Sequence, residues 1–399
     1  MSVTEPIVRL AARGDGVTQS GRFFPLTAPG DLVLPDDSVE PGPHRRKPPC
    51  RHFPECGGCQ IQQVDDEAYG AFLRERIVGA LAAQGLSAPE MRPEHISPPN
   101  SRRRASLKAE RRGKQVLLGF HAEGSHRIID MHECHILRPE LFSLVPLLRR
   151  LLGTLLGPRS DGAVRMTLAD QGVDLTLDRV EADGLAAAEM LSGFAQANRL
   201  ARLSIDDGYG AQTRWEPEPV TITLGGVPVP LPENGFLQAT AEGEAALVAA
   251  VREAIGEARI VADLFAGLGT FALALEGRVL AVEGARDALL SLKAAAARSQ
   301  RQLFVDHRDL FRRPLIESEL NRFDAILLDP PRAGAKEQIP HLARSTVPRI
   351  AYVSCNPATF ARDAKSLSDG GYRLDWIVPV GQFRWSTHVE LVGAFSRQA

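Results

Sequence analysis

Six short, almost wholly apolar runs follow Asn234, and they constrain most tightly what this chain can fold into. They are Ile260 to Phe265, Val279 to Val282, Phe323 to Leu328, Arg349 to Ser354, Trp376 to Val380 and Val389 to Phe395, with helix-like stretches between most of them. The Ala-rich segment Ala241 to Ile255 predicts a helix ahead of the first. Strands that are apolar on both faces must be covered on both faces. Regular alternation with helices therefore predicts an α/β domain built on a doubly wound, mostly parallel sheet. The last two runs lie close together in sequence, which allows an antiparallel pair at one edge.

At 399 residues the chain exceeds what one hydrophobic core usually organises. Residues 41–49 (PGPHRRKPP) read as an extended basic connector. Before it, Ile7 to Val33 mixes apolar stretches with Gly14, Gly16, Gly21 and Pro29-Gly30, which predicts a few short strands. Residues 173–180 and 220–231 are strand-like within a mixed central region. The division expected is 1–45, a small β segment; 46–235, an α+β central domain; and 236–399, the doubly wound domain. A composition of 44% hydrophobic and 24% charged residues excludes a disordered or fibrous chain. No run of 18 apolar residues occurs and the opening residues lack a signal pattern, so the expectation is a cytoplasmic protein with no membrane partner. The net charge of −2 requires any nucleic-acid affinity to come from a local patch.

The strand ends carry the chemistry. Asp263-Leu-Phe265-Ala-Gly267-Leu-Gly269-Thr270 leaves the first apolar run through a glycine turn, where a ligand can approach the backbone closely. Glu283 ends the next run 20 residues after Asp263, and a carboxylate there can hold ribose hydroxyls. The full dinucleotide fingerprint is absent, since position 272 is Ala272. Two later runs stop at prolines, in Asp329-Pro-Pro-Arg332 and Ser354-Cys355-Asn356-Pro357. Asp329 and Cys355 are thus displayed at carboxyl ends of strands, the edge where open α/β sheets bind ligands. A lone cysteine is often a small buried hydrophobe, but this strand-end setting among polar neighbours favours a nucleophile. His388-Val-Glu390 heads the final run, with a period of two that puts both polar residues on one face and makes Glu390 a candidate general base.

Five cysteines divide into Cys50, Cys56, Cys59 and Cys134 on one side and Cys355 on the other. A reducing compartment and an odd number argue against disulfides and for metal ligation or catalysis. Four thiols suit zinc or an iron–sulfur cluster equally, zinc being the commoner, and His132 and His135 beside Cys134 could also ligate. Residues 101–114 carry seven basic residues against one acid, and the candidate phosphate contacts are Arg102, Arg103, Arg104, Lys108, Arg111 and Arg112.

The glycine turn is similar to the first motif of class I S-adenosylmethionine methyltransferases, a Rossmann-like fold. With Asp-Pro-Pro-Arg, Ser-Cys-Asn-Pro and His-Val-Glu following in that order, the chain closely resembles the RNA uracil-5 methyltransferases, which make 5-methyluridine in 23S rRNA and tRNA. Asn234-Gly-Phe-Leu-Gln238 resembles the Phe-x-Gln segment that opens that family's catalytic domain. The resemblance implies S-adenosylmethionine as cofactor, with Gln238, Phe265, Gly267, Gly269, Thr270, Glu283, Asp309 and Asp329 around it. It implies Cys355 as the nucleophile adding to carbon 6 of uracil, Glu390 as the base that removes the carbon 5 proton, and Asp329 as a hydrogen-bonding group in the pocket. Cys-x5-Cys-Gly-Gly-Cys with a distant fourth cysteine is similar to the [4Fe–4S] site of the 23S rRNA branch. Residues 7–33 resemble the opening of a TRAM domain, an RNA-gripping β-barrel. Only about 19 residues then separate Asp31 from Cys50, so a truncated module is expected. The implied partner is RNA, 23S rRNA ahead of tRNA, bound by a monomer. A non-catalytic RNA-binding or assembly factor would need none of Cys355, Glu390 and Asp329. Cytosine-5 methylation fits less well, because Cys355 sits in Ser-Cys-Asn-Pro and does not follow a proline.

Overall fold

A computed structural model describes residues 4–398. Positions 1–3 of the expected N-terminal segment and position 399 of the expected C-terminal domain lie outside the described residues. The chain divides into two compact units, and each is discontinuous in sequence. The first runs through Tyr69 and adds Pro98–Thr221 and Phe383–Thr387. The second comprises Gly70–Ser97, Ile222–Gln382 and the chain from His388. These bounds cut across the 46–235 and 236–399 segments, because Gly70–Ser97 packs with the catalytic sheet and Phe383–Thr387 packs away from it.

The second unit holds the doubly wound sheet. Its strand order is Gln302–His307, Arg278–Glu283, Ile260–Leu264, Ala325–Leu328, Arg349–Ser354, Glu390–Arg397, Tyr372–Gly381 and Glu90–Met91. The first five are parallel, and Glu390–Arg397 is antiparallel to both of its neighbours. The expected antiparallel pair forms, and Glu90–Met91 and His95–Ile96 add beyond it on Tyr372–Gly381. Ala325–Leu328 is buried at all four positions, as a strand covered on both faces must be. Gln302–His307 was not expected as a strand. It is the outermost one and alternates between exposed and half-buried positions, so it lacks the apolar run that marks its neighbours. The helix Ala241–Ile255 has the bounds expected from its composition. Thr240 Oγ1 accepts from Gly243 N at 3.0 Å to cap it, and Gly256 ends it at φ +57°.

In the first unit, a five-stranded antiparallel sheet lies within residues 5–40, in the order Phe23–Phe24, Gly16–Thr18, Glu5–Leu10, Leu32–Val33 and Val39–Glu40. The segment expected to be too short for a complete set of strands fits five by making most of them two or three residues long. Asp31 holds the turn together. Its buried carboxylate accepts from Ala28 N (2.6 Å) and Gly42 N (2.7 Å) and pairs with Arg45.

A second, six-stranded sheet of this unit runs Ala211–Trp215, Arg202–Asp206, Gly172–Asp178, Asp161–Ala169, Arg104–Arg112 and Gln115–Gly119. Only Gly172–Asp178 and Arg202–Asp206 pair in parallel, and the helix Gly184–Ala197 connects them. Leu107, Leu118, Leu148, Leu152, Val164, Leu175 and Leu203 form its core, which Cys59 and Trp385 also enter. Residues 220–231 form a two-stranded hairpin, Thr221–Leu224 with Val227–Pro230, around Gly225-Gly226. Among the described residues no helix is long and apolar enough to cross a membrane.

On this sheet, Arg202 and Asp174 make a two-bond ion pair (2.6 and 2.9 Å) with side chains 6% and 7% exposed. Removing one partner takes a close counter-charge from a buried one. Asp174→Ala is therefore expected to lower unfolding free energy by about 3–5 kcal/mol in denaturant titration, and Asp174→Leu combined with Arg202→Met to recover most of it.

Candidate active site

The glycine turn leaves the sheet where Ile260–Leu264 ends. Phe265 takes φ +67°, Gly267 +55° and Gly269 +90°. A Cβ on Gly269 would stand 2.4 Å from Leu292 Cδ1, whereas Gly267 faces open space on which a ligand can lie. Glu283 ends the neighbouring strand and is pinned at both oxygens, by Gly267 N (2.8 Å) and Ala285 N (2.6 Å). Asp263 is fully buried. Its Oδ2 accepts from Ala272 N at 2.9 Å, while Oδ1 has no partner. Burial, with Glu283 adding to it, pushes its carboxyl up to about 7.

The Phe265 ring lies 5.5 Å from that of Phe311, centroid to centroid. Asp309 Oδ1 accepts from Phe311 N (3.0 Å) and so shapes the turn that carries this ring. Thr270 is half-buried beside the turn. An orphaned buried carboxyl oxygen, an open glycine backbone, a fixed carboxylate and an aromatic wall form a donor set that fits an adenosyl cofactor.

The reaction side lies along the same carboxyl edge. Asp329 follows Ala325–Leu328, and Cys355 follows Arg349–Ser354. Burial first, then Glu390, Asp263 and Glu283, hold the Asp329 carboxyl well above the usual range. The Cys355 thiol is pushed up to about 11 by burial, then by Glu390 and Asp329, with Arg332 opposing. Burial lifts Glu390 to about 7. The three side chains that sequence picks out for catalysis are therefore electrostatic neighbours, and all carry protons more readily than free groups do.

The two proline-ended loops form one body. Asn356 caps the helix Pro357–Asp369 through Ala358 N (3.1 Å) and donates from Nδ2 to Arg332 O (3.1 Å). Thr359 Oγ1 donates to the same carbonyl, Arg362 donates to Ala333 O, and Asp363 accepts from Ala335 N and Tyr352 OH.

One residue escapes a motif search. Gln382 is 2% exposed, follows Tyr372–Gly381, donates from Nε2 to Gln238 Oε1 (2.8 Å) and accepts at Oε1 from Ala239 N (2.8 Å). It also hydrogen-bonds the Glu390 carboxylate. Gln238 thus connects to the base through Gln382. The only signal in the sequence was a polar residue ending an apolar run beside the one that Glu390 begins. His388 does not share the face of Glu390. The strand begins at Glu390, which is buried, and His388 before it is exposed.

In the first unit, Cys50, Cys56, Cys59 and Cys134 line one cavity with His52, Phe120, Met131, Glu133 and His135, and none of them is in a disulfide. Negative charge on one thiol makes its neighbours harder to ionise, and these effects connect all six pairs. Burial is the largest cause and takes Cys59 to about 12. His132 lies off the lining and pairs with Asp130. Among the described residues no group of three or more His, Cys, Asp or Glu is gathered tightly enough to hold a single metal ion.

The six cations expected to contact phosphate divide between the two faces of Arg104–Arg112 and the residues just before it, with Arg104, Lys108 and Arg112 on one face. Side chains of a strand point alternately to opposite faces. Arg103 is buried, and Arg102 lies over the Phe383 ring. Arg111 donates to Leu156 O, Arg112 pairs with Glu110, and Arg104 and Lys108 are half-buried.

A glycine turn and a fixed carboxylate at the carboxyl edge of a doubly wound sheet, beside a thiol and a buried carboxylate, are the arrangement of a class I methyltransferase. The family model for tRNA (uracil-5-)-methyltransferases matches residues 229–398. The chain is 54% identical over 98% of its length to an uncharacterized RNA methyltransferase of Zymomonas mobilis, covering 99% of that protein. It is 33% identical over 87% of its length to the 23S rRNA (uracil(1939)-C(5))-methyltransferase RlmD of Chromohalobacter salexigens, covering 76% of it. The fold is that of the Pyrococcus abyssi tRNA (uracil-54, C5)-methyltransferase solved with S-adenosyl-L-homocysteine, at a TM-score of 0.75 and 22% identity over 98% of this chain and 99% of that one. The chain belongs to the S-adenosylmethionine-dependent RNA uracil-5 methyltransferase family.

The raised Cys355 thiol is protonated at neutral pH and gains reactivity only as pH climbs toward 11. Alkylation of the Cys355 peptide by iodoacetamide, followed by mass spectrometry, is expected to be slow at pH 7.5 and to rise through pH 10. Glu390→Gln, which removes a nearby negative charge, is expected to speed it at any fixed pH between about 8 and 10, where Glu390 is ionised.

Proposed function

We propose that this enzyme methylates carbon 5 of one uridine in 23S rRNA. The observation that carries the reaction is that Asp329, Cys355 and Glu390 stand at the ends of three neighbouring strands on one sheet edge. Carbon 5 of uracil is too weak a nucleophile to take a methyl group unaided. Once the Cys355 thiol has released its proton to solvent, the thiolate adds through sulfur to carbon 6 and turns the ring into an enolate. Bound S-adenosylmethionine supplies an electrophilic methyl group to carbon 5. Glu390 then removes the proton on carbon 5, the carbon 5–carbon 6 double bond re-forms, and the sulfur–carbon 6 bond breaks to release Cys355. Asp329, held protonated, is positioned to donate a hydrogen bond to the uracil. Cys355 stands two residues before the first turn of Pro357–Asp369, where the positive end of the helix favours developing thiolate. The target base must leave its stack to reach these groups.

The four clustered cysteines serve this reading as ligands of a [4Fe–4S] group, with zinc the alternative. The four thiols line one cavity, and the likeness of Cys-x5-Cys-Gly-Gly-Cys to the cluster site of the 23S rRNA branch favours iron–sulfur over zinc. The likeness to an RlmD protein and this thiol set favour rRNA. The five short strands of residues 5–40 suit a TRAM-like module, and free thiols suit a reducing cytoplasm. Methylation of tRNA is the second reading, supported by the family model.

The enzyme is expected to form a covalent adduct with 5-fluorouridine-substituted 23S rRNA on denaturing gels, and Cys355→Ala to abolish it. Glu390→Gln is expected to accumulate adduct on ordinary uridine RNA. An adduct with tRNA alone would overturn the rRNA assignment, and no adduct with either RNA would overturn the mechanism. Because Glu390 acts as a base and burial lifts it to about 7, the rate of adduct breakdown is expected to rise with pH through that value in single-turnover assays.

A further inference from the structure

Gln382 stands where two amides and a buried carboxylate meet. Its Oε1 accepts from Ala239 N at 2.8 Å, and its Nε2 donates to Gln238 Oε1 at 2.8 Å. A backbone N–H can only donate, so the Gln382 atom that faces Ala239 must be the oxygen. The other end is then an NH2, and the Gln238 atom that faces it must be an oxygen in turn. One main-chain amide thus sets which way round both side chains sit. Across the antiparallel pair Tyr372–Gly381 and Glu390–Arg397, Val380 lies directly opposite Glu390. Gln382, two residues on and just past the strand end, is therefore the diagonal neighbour of Glu390 on the same face, within reach of a long side chain. Both are buried. A Cβ on Gly243 would stand 2.7 Å from Gln382 Cβ and 3.3 Å from its Oε1, so the first turn of Ala241–Ile255 has room for Gln382 because glycine is there.

Burial favours the protonated form of Glu390, yet a base must be ionised to take a proton. The second hydrogen of the Gln382 NH2 opposes this, because a donor stabilises carboxylate over carboxylic acid and holds one of its oxygens in place. We propose that Gln382, framed by Ala239 and Gln238, is a positioning residue that turns its NH2 onto Glu390 and sets the orientation of the base. This inference rests on Glu390 removing the carbon 5 proton. It gives the residue a sign that packing lacks. Loss of the donor should move the ionisation of Glu390 upward, so that proton removal begins at higher pH. Asp329 and Cys355 face Glu390 from the neighbouring strand ends. On the other side His95 pairs with Val380, and Glu242 lies near His95. None of these four groups is altered by substitution at position 382.

The test uses full-length wild type, Gln382→Met, Gln382→Glu and Gly243→Ala. Adduct breakdown is followed in single-turnover assays on 23S rRNA transcripts, or on tRNA transcripts where those alone react. Gln382→Met is expected to raise the pH at which breakdown accelerates by about one unit, and so to slow it about tenfold below that pH, as loss of a hydrogen bond to a charged group implies. It should still form the 5-fluorouridine adduct through Cys355. Gln382→Glu matches glutamine in shape and keeps an acceptor for Ala239 N. Once ionised it has no hydrogen to give and adds a like charge, so a larger shift is expected. Gly243→Ala displaces Gln382 without altering its amide and is expected to give a smaller shift in the same direction. Uniformly slower breakdown in Gln382→Met with an unchanged pH midpoint would show packing alone and overturn the inference, and so would Gln382→Glu behaving as wild type. Wild type that forms no adduct with either RNA would remove the assignment of Glu390 and this inference together.

Discussion

Parallel strands that end on one edge, with little basic charge to balance the acids there, set the chemistry of this enzyme. Asp263, Glu283 and Asp329 all leave the sheet on that edge, and Glu390 enters it there. Only Glu283 has both oxygens bonded to backbone N–H groups. Burial and mutual repulsion make the others hold protons, and the thiol of Cys355 shares their fate. A cationic sulfonium is the natural counter-charge for such an edge.

The Asn356 bridge explains why two loops far apart in sequence act together. Both proline-ended loops hang on one helix, through Asn356, Thr359, Arg362 and Asp363, so the distance from Asp329 to Cys355 does not depend on the strands alone. Gln382 does the same for Gln238 and Glu390. Positions that react are held by amides and hydroxyls that do not.

The central strands and the helix Ala241–Ile255 were legible in the sequence, because burial on both faces leaves an unbroken apolar run. Gln302–His307 was not, since an outer strand faces solvent and reads as polar. The chemistry-bearing residues were legible where prolines or glycines mark a strand end. Gln382 was hidden because its role is set by partners that fold from positions 238 and 390. The charge of the basic stretch at 101–114 was legible in the sequence, but the placement of its side chains was not. Counting charges ignores the alternation of a strand, which sends neighbouring arginines to opposite faces. The division into units was equally hidden, because no composition change marks the five residues Phe383–Thr387 that leave one unit for the other.

That short excursion has a consequence for how the protein is born. Trp385 belongs to the core that contains Cys59, and its carbonyl takes the two amides after Cys59. Chains emerge from the ribosome N-terminus first, so Cys50, Cys56, Cys59 and Cys134 are made long before the residue that completes their surroundings. Until then the thiols stand on an unfinished core. Maturation of the N-terminal half is thereby tied to synthesis of nearly the whole chain, and a truncated product would be left with its cysteines unsheltered.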